Sequence, residues 1–194
     1  MAEHDSDTEL MLRVKGGDRD AFRILVERYK GLVVNTIYRA IGDSWEAEDL
    51  AQRVFVKIFQ AAPRWQPTAK FTTWMFTIVG NTIRNEYRRR SRHNLESIEE
   101  RSDFSEDGSG SSWGMEDESV VNPADHAVHR ELHQQIQKAI DRLPERQRLA
   151  VILCRYEGAS YEELSKVLKI SIPAVKGLMH RARLALKDEL KKFL

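Results

Sequence analysis

Residues 160–187 read SYEELSKVLKISIPAVKGLMHRARLALK, and the spacing of their capping and apolar residues decides the fold of the C-terminal part. Ser160-Tyr161-Glu162-Glu163 is a capping box, in which Ser160 caps the Glu163 amide and the Glu163 carboxylate reaches back. A short helix therefore runs to Leu168. Lys169-Ile170 make a turn, Ser171 caps the next helix, and Pro173 sits in its first turn, where a missing N–H costs little. On that helix Val175, Met179, Ala182 and Leu186 recur at i, i+4, i+7 and i+11 and face inward. Lys176, Gly177, His180, Arg181 and Arg183 are left outside. Two helices joined by so tight a turn, with a basic outer face on the second, predict a helix-turn-helix that reads duplex DNA.

Working outward, helices resume after an acidic stretch near Pro123-Ala124-Asp125. Val128, Leu132, Ile136, Ala139, Ile140 and Leu143 form one stripe. Leu143-Pro144-Glu145 starts a further helix to Tyr156, closed by Gly158. Upstream, segment 94–125 holds ten Asp/Glu against a single base, Arg101. That is a net of −9 in a chain whose total is +1, so the remainder carries +10. Its centre, SEDGSGSSWG (105–114), is Ser/Gly-rich and cannot order itself, which predicts a flexible acidic linker with Trp113 as its one potential anchor. The near-neutral total thus hides two basic lobes on an acidic tether. Both lobes suit nucleic acid.

The N-terminal lobe also reads as helical. Leu10, Leu12, Val14, Phe22, Leu25, Val26 and Tyr29 follow a helical pattern broken by a turn at Gly16-Gly17-Asp18. The next helix stops at Gly42, and another starts at Asp43 or Ser44, with a stripe of Leu50, Ala51, Val54, Phe55 and Ile58. Pro63 and Pro67 bracket a loop, Arg64-Trp65-Gln66. A helix from about Ala69 to Arg90 follows, in which Phe71, Trp74, Met75, Ile78, Thr82 and Ile83 are the expected core face. Thr73, Thr77, Gly80, Asn81, Arg84 and Arg88 lie opposite, flanked by Phe76 and Tyr87. Gly80 leaves room for something to approach closely, and the donors and rings suit unpaired bases. No strand-like alternation appears. The expected architecture is all-α: two small helical domains, residues 1–93 and 126–194, joined by the linker 94–125.

Several classes of function are excluded. There is no nucleophile–base set, phosphate loop or metal spacing that would make an enzyme. His126, His129 and His133 project within about 60° of one another on a helix, but no Cys or carboxylate completes a tetrahedral set, so they read as amphipathic surface; no metal and no cofactor is expected. The single cysteine, Cys154, lies in an apolar run, permits no intramolecular disulfide and fits a reducing compartment. No stretch approaches the ~20 apolar residues of a membrane span, and the acidic start is neither signal nor transit peptide, so a cytoplasmic protein is expected.

Seven motifs in order carry a resemblance: Gly-Asp-x-x-Ala-Phe (Gly17 to Phe22), Ala-Glu-Asp-Leu-x-Gln-x-x-Phe (Ala47 to Phe55), Phe-x-x-Trp (Phe71 to Trp74), Asn-Thr-x-x-Asn (Asn81 to Asn85), Leu-Pro-Glu (Leu143 to Glu145), Glu-Gly-x-Ser-Tyr-Glu-Glu (Glu157 to Glu163) and Val-Lys-x-x-x-His-Arg-Ala-Arg (Val175 to Arg183). In this order they resemble the extracytoplasmic-function (ECF, group 4) sigma factors of the sigma-70 family. The resemblance implies that Glu48, Asp49, Gln52, Arg53 and Phe55 dock on core RNA polymerase, with the β′ clamp and β flap as contacts. It implies that Trp65, Lys70, Trp74, Asn81, Arg84, Asn85 and Arg88 capture and open the −10 element. It further implies that Ser171, Lys176, Gly177, His180, Arg181 and Arg183 read the −35 duplex, that an anti-sigma factor holds the protein inactive, and that the linker threads the polymerase channel. A solvated spacer is the alternative for the linker.

Four departures from the family pattern bear on specificity. Arg53 stands where an acidic residue commonly follows the glutamine. Pro67 and Thr68 replace a frequent Gly-Asp, and Thr77 a common arginine, so the usual −10 sequence is not expected. Gly177 and Leu178 replace a frequent Ser-Arg, removing two polar contacts to the −35 element. A stand-alone transcription factor of the response-regulator effector type has a similar helix-turn-helix, but that reading leaves residues 10–92 unexplained.

Overall fold

The computed structural model describes residues 2–100 and 134–191, all helices and connecting turns with no strand among the described residues. Helix α1 spans Ala2–Lys15, α2 Arg19–Ile41, α3 Ser44–Ala61 and α4 Phe71–Glu100, with a 3-10 turn at Ala62–Arg64 between α3 and α4. After the undescribed stretch come α5 (134–141), α6 (Glu145–Tyr156), α7 (Tyr161–Leu168) and α8 (Ile172–Leu190). None is long and apolar enough to cross a membrane among the described residues.

The predicted punctuation is where the chain turns. Gly17 (φ +93°) ends the first turn and Asp18 caps α2 by accepting from the Ala21 amide at 3.0 Å. Gly42 closes α2 in the left-handed region at φ +79°, and Asp43 caps α3 through the Glu46 amide at 2.9 Å. The buried carboxylate of Asp7 accepts from Arg28 and Tyr29 and ties α1 to α2. In the helix-turn-helix both halves of the capping box form: Glu163 N to Ser160 Oγ is 3.2 Å and Ser160 N to Glu163 Oε2 is 2.8 Å. Lys169 takes the left-handed turn position at φ +54°, and Ser171 caps α8.

Two expectations change, and a third set of residues is not described. The helix expected to end near Arg90 continues to Glu100, into residues assigned to the linker. Linker residues 101–125, together with Trp113, His126, His129 and His133, lie outside the described residues. Two separate cores were expected, one per lobe; instead the buried residues of both halves form one contiguous cluster, from Leu10 in α1 to Ala182 in α8. The joint is α4, whose neighbours include α6 and α7 as well as α2 and α3.

Candidate nucleic-acid interface

Helix α8 presents the simplest surface. Val175, Leu178, Met179 and Ala182 are buried against α6 and α7. Leu178 is therefore a core residue at a position the resemblance assigns to a base-reading arginine. Ser171, Lys176, His180, Arg181 and Arg183 are all exposed. Lys176, His180 and Arg183 fall within about 60° of each other at 3.6 residues per turn, so they form one basic stripe. Arg183 also donates to the Tyr161 hydroxyl at 2.8 Å, which orients it from α7. At Gly177, half-buried, an added Cβ would lie 3.5 Å from Arg181 Nη1, an ordinary contact, so the missing side chain is a matter of chemistry and not of space.

The exposed face of α3 is amphiphilic. Glu48, Asp49, Gln52 and Arg53 face solvent, and Arg53 folds back on Asp49 at 2.7 Å. That contact cancels much of the altered charge pattern locally. Phe55 does not share this face: it is 9% exposed and packs in the core, because it belongs to the Leu50–Val54–Ile58 stripe. Two apolar residues that sequence reasoning passed over do share it. Trp45 is 85% exposed and Val56 54%, and with Asp49 and Gln52 they recur at i, i+4, i+7 and i+11. An apolar residue outside the core stripe was the available signal.

The α4 face is far less open than its sequence suggests. Trp65 is buried, packed edge-on against Trp74 with centroids 6.3 Å apart, and its backbone carbonyl accepts from Lys15 at 2.9 Å. Its indole N–H has no hydrogen-bond partner among the described residues. Trp74, half-buried, also touches Phe71. Asn81 Oδ1 accepts from Arg84 at 3.0 Å, and both are half-buried. Asn85 and Arg88 are exposed. The arginine run is not one surface: Arg89 and Arg90 are bound to Glu86 and Glu46, which fastens α4 to α3.

Thr73, Phe76 and Gly80, expected on or beside the open face, are buried. Gly80 is covered by the C-terminal half. A Cβ there would lie 3.0 Å from Leu149 Cδ2 and 3.7 Å from Val167 Cγ1. Lys70 forms an ion pair with Glu163 of α7 at 3.0 Å. Gly80, Ile83, Arg84 and Tyr87 line a shallow cleft with Glu145, Arg146 and Leu149 of α6.

Residues outside the predicted binding sets also hold the two halves together. Arg148 of α6 donates to the Ala40 carbonyl and the Tyr87 hydroxyl, both at 2.9 Å, and its guanidinium lies 5.4 Å from the Tyr87 ring centroid. Burial raises the Tyr87 hydroxyl above its ordinary pKa, against the pull of Arg148. Glu157 reaches back to α2, where Thr36 Oγ1 is 2.9 Å away and Arg39 Nη1 3.8 Å. The Arg39 guanidinium sits 4.2 Å over the Tyr156 ring. Burial raises the Glu157 carboxyl above its ordinary value, with Thr36 and Arg39 opposing. Burial would raise Glu163 too, but the Ser160 amide and Lys70 outweigh it and hold that carboxyl low.

Comparison with known proteins matches both ends of this architecture. Residues 25–93 match the Sigma-70 region 2 family and residues 133–186 the Sigma-70 region 4 family. The RNA polymerase sigma-H factor of Pseudomonas aeruginosa is 30% identical over 196 residues, covering 100% of this chain and 98% of the relative. The ECF RNA polymerase sigma-E factor of Escherichia coli K12 is 29% identical over 198 residues, covering 100% and 99%. Among solved structures, CnrH in complex with the cytosolic domain of CnrY is similar at a TM-score of 0.68 and 25% identity, over 97% of this chain and 99% of that one. The sigma factor RpoE of Bartonella quintana, in complex with the anti-sigma factor NepR, shares the fold at a TM-score of 0.65 and 23% identity, over 88% and 96%. With both regions in place and relatives matched from end to end, the chain belongs to the ECF sigma factors of the sigma-70 family, which direct promoter-specific transcription initiation.

Proposed function

We propose that this chain docks on core RNA polymerase through the outer face of α3, holds −35 duplex on α8 and takes unpaired −10 bases on α4 and the loop before it. The observation that carries this reading is the uncovered basic stripe of α8, on a helix whose start is set by the Ser171 cap and whose inner face is fully packed. Lys and Arg there neutralise phosphates, and the residues near its N-terminus meet base edges.

On α3 the docking set is Glu48, Asp49, Gln52 and Arg53, with Trp45 as an apolar anchor of the kind that dominates protein interfaces. Phe55 supports that helix from within. On α4 the set is Asn81, Arg84, Asn85 and Arg88, with Lys70 at the edge; Trp65 and Trp74 form the wall behind it. The working division is a −10 unit to residue 93, a linker to 125 and a −35 unit from 126. An anti-sigma factor is the proposed regulator, as RpoE of Bartonella quintana is bound by NepR, and the protein works in the cytoplasm beside the polymerase. The test adds the purified chain to core RNA polymerase and measures promoter-specific run-off. Retardation of duplex DNA with neither core binding nor run-off overturns the proposal in favour of a stand-alone regulator.

A further inference from the structure

Among the described residues, nothing accounts for the glycine in the second turn of α8. Gly177 is helical and its φ lies outside the left-handed region, so the backbone does not demand glycine. A Cβ there would meet only Arg181 Nη1, at 3.5 Å, which is ordinary contact. Gly80 is the opposite case, because Leu149 fills the space above it. The space above Gly177 is open to a partner.

The position on the helix says which partner. Val175, Leu178, Met179 and Ala182 mark the inner side of α8. At 3.6 residues per turn, Pro173, Gly177, His180 and Leu184 fall within about 60° of one another, centred about 180° from that inner side. They form the ridge that enters a groove first. Lys176, Arg183 and Lys187 lie on one flank of the ridge and Arg181 on the other, all exposed. Cations on both flanks suit the phosphates of the two strands that border a major groove. The ridge between them is largely apolar: neither Pro173, Gly177 nor Leu184 carries a side-chain hydrogen-bonding group, and Leu184 is 49% exposed. The apolar group on the major-groove edge of the base pairs is the thymine 5-methyl.

We propose that Gly177 is a notch that seats the 5-methyl group of one thymine in the −35 duplex and so sets the base preference at that position. Its walls are Pro173, one turn before, and His180 and Arg181, one turn after. In unmodified DNA thymine alone supplies this group. The inference rests on the assignment of α8 to −35 duplex.

The test fills the notch from the protein side and empties it from the DNA side. The full chain, assembled with core RNA polymerase, selects a duplex from a random pool. Each thymine of that duplex is then exchanged in turn for deoxyuridine, which pairs alike but lacks the methyl. For the wild type, one exchange is expected to weaken retention about fourfold, the burial of one methyl group expressed as an affinity ratio. Gly177→Ala supplies a methyl of its own and leaves Arg181 in ordinary contact, and a circular dichroism melt checks that it is folded. It is expected to hold the thymine duplex at least about fourfold less well than the wild type does. At the same position it is expected to reverse the preference, holding the deoxyuridine duplex more tightly than the thymine one. A wild type indifferent to every exchange overturns the notch, and so does a folded Gly177→Ala that keeps the wild-type ratio at every thymine. A pool from which nothing is enriched, with core binding intact, overturns the −35 assignment of α8 and the notch with it.

Discussion

Glu157 shows how one side chain couples chemistry to shape. Thr36 Oγ1 lies 2.8 Å from the Leu32 carbonyl and 2.9 Å from Glu157 Oε1. A hydroxyl has one proton, and the carbonyl can only accept. That proton is shared between the Leu32 carbonyl and the Glu157 carboxylate, and its donation to Glu157 opposes the rise in pKa that burial causes. Burial prevails and the Glu157 pKa is raised, so its support for the contact between the halves is full below the ordinary 4.5 and is lost as pH rises through the raised value. Glu163 works oppositely: its pKa is lowered, so its contribution is present above 4.5 and lost as pH falls through the lowered value. Contact between the halves should therefore peak between the two. Small-angle scattering from about pH 4 to 8 is expected to show the smallest radius of gyration inside that window and expansion toward the alkaline end; a flat profile would count against the Glu157 contact.

Two substitutions separate the DNA sites at the same scale. Arg181→Ala should weaken duplex retardation by about 1–3 kcal/mol if the guanidinium reads a base, and should instead flatten the salt dependence by about one unit if it holds a phosphate. Unchanged retardation removes Arg181 from the interface. Asn81→Ala should impair promoter opening more than core binding, because its amide faces Arg84 on α4 and not α3; equal loss of both would indicate misfolding.

At the scale of elements, α7 and α8 owe their boundaries to short-range chemistry. Ser160→Ala removes the cap of α7 at a cost of about 1 kcal/mol, and with it the orientation of Glu163. A fall in melting temperature of about 2–4 °C is expected for a chain of this size, together with loss of the Lys70 contact. Gly177→Ala makes the opposite prediction. The position is mid-helix with room for a Cβ, so a gain of about 0.5–1 kcal/mol is expected by thermal denaturation. Helix α4 is the element that local pattern described least well. Its apolar stripe is where the spacing puts it, yet Thr73, Phe76 and Gly80 on the other side are buried too. A helix covered by α2 and α3 on one side and by α6 and α7 on the other has no single core face for a pattern to report.

At the scale of the molecule, the contacts of Lys70 with Glu163 and of Arg148 with Tyr87 form a clasp between the two halves, while Lys70, Asn85 and Arg88 stay exposed. Core polymerase is expected to compete with the clasp: adding it should abolish a zero-length carbodiimide cross-link between Lys70 and Glu163 while run-off activity appears. Persistence of the cross-link in an active holoenzyme would refute that competition.

The sequence by itself determined the all-helical class, the turns at Gly17 and Gly42, the caps at Asp18, Asp43, Ser160 and Ser171, and the basic stripe of α8. Each of these rests on interactions between residues a few positions apart, which a one-dimensional pattern can carry. The opening stretch, 160–187, was legible for that reason. Only the tertiary structure decided that Trp65 belongs to the core, that Arg89 and Arg90 brace α3, and that Gly80 is the seat of Leu149. Those outcomes rest on contacts between residues far apart in the chain, such as Arg89 to Glu46 at 43 positions and Lys15 to Trp65 at 50. No local spacing encodes which distant surface will be brought near. The single buried cluster that joins the halves exists because apolar faces on both sides of the linker find each other in space.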